Sequence, residues 1–400
     1  MEIYNGEYFV HGRFFVKLFG LWPFQSGKFN KIHQIMMILP LGTVFIPLCA
    51  KAYELRHNFH NLFVCIISIL FFMHYITKFL YLSLKKKQFQ RLLKKIDNDF
   101  SLFRDSSLKI IHDYSNSAKK FNMFYSIYLV SSVIIFNLGI FMPRALDLIM
   151  PLNESRPLHQ VRVLRYHIDA LDDSVYFVLF HGMFFDVVSI VVIVGFDTLL
   201  INCAQHACAL FKIASTEIRD CTEEINQSNE RVNLLTQRSM RKNIYHRKIV
   251  KATIIHKHAL EFFDVLESTY SFLNFSIIGI SLSTVTLAEF AILDHGREAA
   301  DVMMRFALLV AGQFLNILYQ NYPGQLIKDH SLEVHASCCE CQWYKDDVPD
   351  ESKKLLVVIM LKSAKPSCLT AGRYFVLDLQ NYLQIMKASL SYFAFLRSVN

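Results

Sequence analysis

The chain has 400 residues, of which 53% are hydrophobic, 14% aromatic and only 19% charged, with a mean hydropathy of +0.28. That charged fraction is below the roughly 25% of ordinary soluble domains, and the deficit leaves long apolar windows, which argues against two or three soluble globular domains. The net charge of +8 invites a nucleic-acid reading. Lys and Arg, however, sit between apolar windows, where membrane topology accounts for them, so no nucleic-acid partner is expected.

About seven windows near 20 residues are long enough to cross roughly 30 Å of hydrocarbon as helix, which makes the expected fold all-α and integral to the membrane. The first spans His33 to Ala50 and contains Pro40 and Pro47; the second is Leu62 to Leu84 and the third Phe121 to Met142. The fourth is Val175 to Ile201, the fifth Tyr270 to Leu293 and the sixth Val302 to Tyr322. The last, Tyr374 to Leu396, is the least apolar, being interrupted by Asp378, Gln380, Asn381, Gln384 and Lys387. Residues 204–268 contain neither Pro nor Gly, so the fourth and fifth helices are expected to run well past the bilayer. A further helix is expected around Leu326–Tyr344, after Pro323. No internal repeat or low-complexity segment is visible, which weakens an inverted-repeat transporter.

Orientation follows from Lys and Arg. Segments on the N-terminal side of the membrane hold 31 of them and the opposite side eight, so the N-terminus is expected in the cytoplasm and the C-terminus outside. The first 15 residues lack a basic stretch followed by an apolar core, so the first spanning helix is expected to direct insertion. The sequon Asn153-Glu154-Ser155 falls in an outer loop, where glycosylation occurs; those at Asn226 and Asn274 fall inside or in the membrane. All nine cysteines lie in helices or inner segments, so no disulfide framework is implied.

The seventh window carries the most chemistry. On a 3.6-residue period Leu377, Asn381, Gln384, Ala388, Ser391, Phe395 and Val399 share one face, polar and small in the middle and apolar at the outer end. Such a stripe suits a water-filled pore with an apolar constriction; it also suits amides bonded to neighbouring helices. His74, Lys78, Asp186, Glu289 and Arg305 are ionisable residues scattered over other helices without a repeated pattern. Phe71, Phe72, His74 and Tyr75 on the second helix, Ser132, Ile135, Phe136 and Gly139 on the third, and Tyr176, Phe180, Met183 and Phe184 on the fourth form aromatic and Met-bearing faces. Together they would wall an apolar cavity for a small hydrophobic ligand; lipid contact explains any single one equally well. Cys338-Cys339-Glu340-Cys341, with His330 and His335 nearby, has half the spacing of a zinc site, and reduced thiols on a helix are the plainer reading. No GxxxxGK[ST], HExxH, GxSxG or paired-carboxylate setting occurs, so neither an enzyme, a cofactor nor a metal is expected.

The last hundred residues carry Gly324, Leu326, Ser331, Ala336 and Trp343-Tyr344, then Lys365-Pro366 and Leu369-Thr370-Ala371-Gly372, and finally the run Lys387-Ala388-Ser389-Leu390-Ser391-Tyr392-Phe393-Ala394-Phe395-Leu396-Arg397. In this order and spacing they resemble the insect odorant receptor family. Over residues 1–300 the similarity is one of layout. The resemblance implies a seven-helix subunit of a tetrameric, nonselective cation channel in the plasma membrane of an olfactory neuron dendrite, opened by a small volatile ligand. Residues 1–323 would hold six helices and the odorant pocket, 324–372 a cytoplasmic anchor segment, and 373–400 the pore-lining helix. Phe395 and Val399 would form the outer constriction, where the family often has Val or Leu, with Ser398 a neighbouring polar lining residue. The loop between the fourth and fifth helices is too short for the family's co-receptor, so an odorant-tuning subunit in a heterotetramer with the co-receptor is implied. A related gustatory-type receptor channel shares this architecture. A G-protein-coupled receptor would need the opposite orientation, and the chain has no Asp-Arg-Tyr after the third helix and no Asn-Pro-x-x-Tyr in the seventh.

Overall fold

A computed structural model describes residues 7–25, 27–151, 174–227, 234–295, 300–344 and 348–399. The described residues are almost wholly helical. Helices α1 (Val10–Leu18), α2 (Lys28–Glu54), α3 (Phe59–Leu84), α4 (Lys86–Leu102), α5 (Asp105–Ile140) and α6 (Met142–Ile149) precede three long ones. These are α7 (Val175–Gln227), α8 (Leu234–His295) and α9 (Ala300–Glu340). The chain closes with α10 (Asp350–Ser363), a short antiparallel pair β1 (Thr370–Ala371) and β2 (Phe375–Val376), and α11 (Leu379–Val399).

Each predicted window falls mainly on one helix. By length and composition alone, α3, α5, α7 and α8 are apolar enough to cross a membrane; α2, α9 and α11 carry more polar positions. The 53 residues of α7 and 62 of α8 reach about 80 and 93 Å at 1.5 Å per residue, far beyond a bilayer core, so both project from its charge-rich side. Two expectations change. Pro323 does not end the sixth helix: α9 runs through it, as is common where neighbouring helices support the freed carbonyl. The seventh helix begins at Leu379 rather than Tyr374, because Thr370 to Val376 fold back as the β1–β2 pair. Asp378 then caps α11, its Oδ1 accepting the Asn381 N–H at 2.8 Å.

The inner half of α7 is the axis of the projecting part. Ala204, Ala207, Cys208, Ala209, Leu210, Phe211 and Ala214 are all fully buried; a helix apolar on every side has to be surrounded. Ile249, Ala252, Ala259 and Phe262 of α8 and Ile327, Val334 and Cys338 of α9 pack into the same core. Helix α4 closes one flank with Phe89, Leu92, Leu93, Ile96 and Phe100, the inward stripe of an amphipathic helix. One turn carries a carboxylate inward as well. Asp99 Oδ2 lies 2.8 Å from His206 Nε2 and Oδ1 lies 2.7 Å from His258 Nε2, so α4, α7 and α8 meet on one acid. Burial works against its charge, but hydrogen bonds and charge from the two imidazoles outweigh that and hold the carboxyl below its ordinary pKa.

Candidate functional site

At the end of the bundle away from these extensions, α3 turns an aromatic face inward. Tyr75 is fully buried, His74 nearly so, and Phe71 packs half-buried against Ile67, Ala288, Ala291 and Phe306. Phe72 stacks on Phe45 at 4.3 Å and on Phe185 at 5.9 Å between centroids; Phe185 also meets Tyr75 edge-on at 6.2 Å. His74 Nε2 and the Tyr75 hydroxyl are buried there with no hydrogen-bond partner among the described residues.

The structure does not bring every predicted pocket residue to this place. Ser132, Phe136, Gly139 and Met183 are half-buried, and the Ser132 hydroxyl is spent on its own helix, donating to the Tyr128 carbonyl at 2.7 Å. Ile135, Tyr176, Phe180 and Phe184 are between 51% and 60% exposed and lie on the outer surface. The inward face of α7 is instead Val178, Leu179, Phe185, Ser189 and Val192. Phe45 and Phe185 are the residues that periodicity missed. Both faces of α7 are apolar, one toward protein and one toward lipid, so a 3.6-residue pattern does not say which is which.

Beneath the aromatic cluster four helices meet on one acid. Lys78 of α3 donates to both oxygens of Asp197 of α7, at 2.7 and 2.8 Å, with both side chains fully buried. Tyr125 of α5 donates to Oδ2 at 2.7 Å and Gln320 of α9 to Oδ1 at 3.2 Å. A second layer extends it: Asn122 Nδ2 donates to Asn202 Oδ1 at 2.9 Å, Tyr319 OH to Asn122 Oδ1 at 3.2 Å, and the Tyr125 and Tyr319 rings stack at 3.5 Å. A lone charge is costly at such depth; paired and bonded on every side it becomes tolerable.

Helix α11 is seated differently. Its face toward α8 and α9 carries Tyr382, Ile385, Met386 and buried Ser389, whereas Gln384, Ala388, Ser391, Phe395 and Ser398 are exposed along the opposite face. Of the predicted stripe, Leu377 is buried beneath the helix and Asn381 is half-buried beside its cap. Val399 closes the helix.

The start of α11 is pinned by residues the sequence motif picked out. A Cβ on Gly324 would lie 2.0 Å from the Leu377 carbonyl oxygen, so only glycine admits this crossing. Lys328 Nζ donates to Asp378 Oδ2 at 2.8 Å, and the Ser367 N–H donates to Ser331 Oγ at 3.0 Å. Thr370 bonds through its N–H and its hydroxyl to Glu267 of α8. Gly372, at φ 63°, donates its N–H to the Ser271 carbonyl at 2.8 Å. The cysteine motif, by contrast, brings Cys339 Sγ to 3.7 Å from His335 Nε2 but turns its other side chains elsewhere. Cys341 Sγ donates to the Cys338 carbonyl, His335 Nδ1 lies 3.1 Å from the Met360 carbonyl, and His330 Nε2 pairs with the Tyr114 hydroxyl. No metal-holding group of three such side chains occurs among the described residues. Asn153 lies outside the described residues.

The arrangement defines an all-α, integral membrane bundle of seven long helices, with an aromatic cluster on one side of a buried ionic knot and a last helix that leaves one polar stripe bare. Comparison with known proteins gives the family. The pattern described as 7tm Odorant receptor matches residues 58–390, and the chain belongs to that family. Odorant receptor 10 of Aedes albopictus is 23% identical over 155 residues, which is 38% of this chain and 40% of that relative. Among solved structures, the insect olfactory receptor OR5 from Machilis hrabei superposes with a TM-score of 0.65 at 15% identity, covering 98% of this chain and 100% of that one. Its complex with eugenol gives 0.64 at 13% identity, covering 99% and 100%. At these identities the structural likeness speaks for the fold.

Proposed function

We propose that the chain is an odorant-tuning subunit of a ligand-gated, nonselective cation channel, assembled with a co-receptor subunit in a heterotetramer. A small hydrophobic volatile enters the outer half of the bundle, and the pore is formed jointly by the α11 helices of the assembly. The N-terminus and the projecting ends of α7, α8 and α9 face the cytoplasm, in keeping with the excess of Lys and Arg on that side, and Asn153 carries a glycan outside. Residues 324–372 serve as the anchor between subunits, and the assembly works in the plasma membrane of an olfactory neuron dendrite. Phe71, His74 and Tyr75, with Phe45, Phe72 and Phe185, line the ligand pocket. Ser132, Phe136, Gly139 and Met183 stand at its rim. Ile135, Tyr176, Phe180 and Phe184 face lipid or a neighbouring subunit.

The bare stripe on α11 carries this reading. A membrane helix turns Gln384 and Ser391 away from its own bundle where water or another chain receives them, whereas the Ser398 hydroxyl donates to the Phe395 carbonyl of its own helix at 2.7 Å. Co-expression with a co-receptor is expected to give odour-evoked cation currents under patch clamp. Ser391→Arg is expected to cut inward current about tenfold, because a fixed positive charge in a narrow pore raises the barrier to cations. Substitutions at Phe395 and Val399 are expected to move the reversal potential. Currents whose selectivity ignores all three positions would remove α11 from the pore.

A further inference from the structure

Among the described buried acids that the proposed function does not use, Glu289 is the one that touches α11 from another helix. Glu289, on the outer part of α8, is 3% exposed and sits between Ala288 and Ala291, which pack with Ile67 and Phe306 in an apolar cluster. One of its oxygens accepts a hydrogen bond from the Ser389 hydroxyl of α11 at 2.7 Å. The other is buried with no partner among the described residues. A carboxyl group held in apolar surroundings by one hydroxyl is unfavourable for folding alone, and ionisable groups at such depth are retained where they serve function.

Its place on α11 suggests which function. The side-chain ties at the start of the helix are Lys328 to Asp378 and Gln325 Oε1 to the Leu379 N–H. Ser389 is 11 residues beyond Asp378, about 16 Å further out along the helix, and Phe395 lies about 9 Å beyond that. The base of α11 is therefore fixed and its outer half is held by the Glu289 contact. Ser389 is buried on the bundle side, opposite Ser391, Phe395 and the rest of the bare stripe. Widening any pore lined by that stripe requires α11 to withdraw from the pore axis, toward α8. A bond on the α8 side favours the withdrawn position.

On the channel reading given above, we propose that Glu289 is a positioning residue for gating: its carboxyl oxygen holds Ser389, and through it the outer half of α11, in the seat against α8 that the open pore requires. The equilibrium between closed and open pores then depends on this bond, while the conduction path does not.

Odour concentration–response curves for Ser389→Ala and Glu289→Leu, measured beside surface biotinylation, test the proposal. Half-maximal concentrations are expected to rise at least fivefold, with reversal potential and relative ion permeability unchanged. Glu289→Gln, which keeps an acceptor oxygen, is expected to stay within twofold of wild type. Normal sensitivity in Ser389→Ala at wild-type surface levels would overturn the proposal, as would a changed reversal potential. A double cysteine substitution, Glu289→Cys with Ser389→Cys, tests the contact without relying on current; because cysteine is shorter than the glutamate it replaces, the two thiols are bridged with a short bifunctional methanethiosulfonate rather than joined directly. The reagent is expected to cross-link α8 to α11 and to raise basal current, reversibly with dithiothreitol. Failure to cross-link overturns the inference even if the chain conducts; cross-linking in a chain that never conducts odour-evoked current would instead refute the channel reading and the gating role together.

Discussion

Lys78→Met is expected to remove most of the protein from the cell surface, and Lys78→Met combined with Asp197→Asn to restore the larger part of it. The single substitution leaves the Asp197 carboxylate fully buried with only Tyr125 and Gln320 donating to it. Breaking one partner out of a buried ion pair typically costs about 3–5 kcal/mol, because the remaining charge has neither water nor a counter-ion. That is a large share of a total stability of roughly 5–15 kcal/mol. Neutralising the acid as well removes the stranded charge, and the asparagine oxygen still accepts from Tyr125. Surface biotinylation and thermal unfolding in detergent, arranged as a double-mutant cycle, give the coupling directly. A Lys78→Met chain that melts and traffics like wild type would show that the four-helix knot does not hold this bundle together.

That knot also marks how far the sequence could be read. The apolar windows placed all seven spanning helices, since about 20 apolar residues are a physical requirement of the bilayer. The length of α7 and α8 was legible too, from a Pro- and Gly-free stretch that nothing interrupts. Lys78 stood out as an isolated cation, but its partner is 119 positions away in sequence, and no local pattern connects them. The inward face of α7 was hidden for a related reason, because lipid and protein interior select the same residue types. Helix α4 is the opposite case. Its stripe of Phe89, Leu92, Leu93, Ile96 and Phe100 is readable at 3.6-residue spacing, but the surrounding lysines make the segment look like a loop in a search for spans. The motif around Gly324 and Thr370 to Gly372 was legible as a resemblance only. Its physical content appears when the base of α11 is in place and each residue is seen to fix it.

Gly324 gives that content a sharp test. Residues on both sides of its contact are already committed: the Leu377 N–H donates to the Leu369 carbonyl at 2.9 Å, and Asp378 is paired with Lys328 and caps α11. A methyl group on Gly324 would meet the Leu377 carbonyl oxygen at 2.0 Å and its carbon at 2.9 Å. Both are backbone atoms, so relief requires moving the chain that starts α11 rather than rotating a side chain. Overpacking of this kind costs about 1–3 kcal/mol where side chains can adjust and more where they cannot, so Gly324→Ala is expected to lower stability by about 3 kcal/mol. Gly279 supplies the control within the same bundle. It is a helical glycine of α8 with nothing within 4 Å of an added Cβ, and Gly279→Ala is expected to be neutral or to stabilise by up to about 1 kcal/mol through helix propensity. Thermal unfolding of the two purified variants in one detergent decides the matter. Equal melting temperatures would mean that the close crossing of α9 with the start of α11 is not a constraint on the fold. The expected separation would instead identify Gly324 as the residue that lets the last helix begin where it does, which sets the height of Ser389 opposite Glu289 and of Phe395 beyond it.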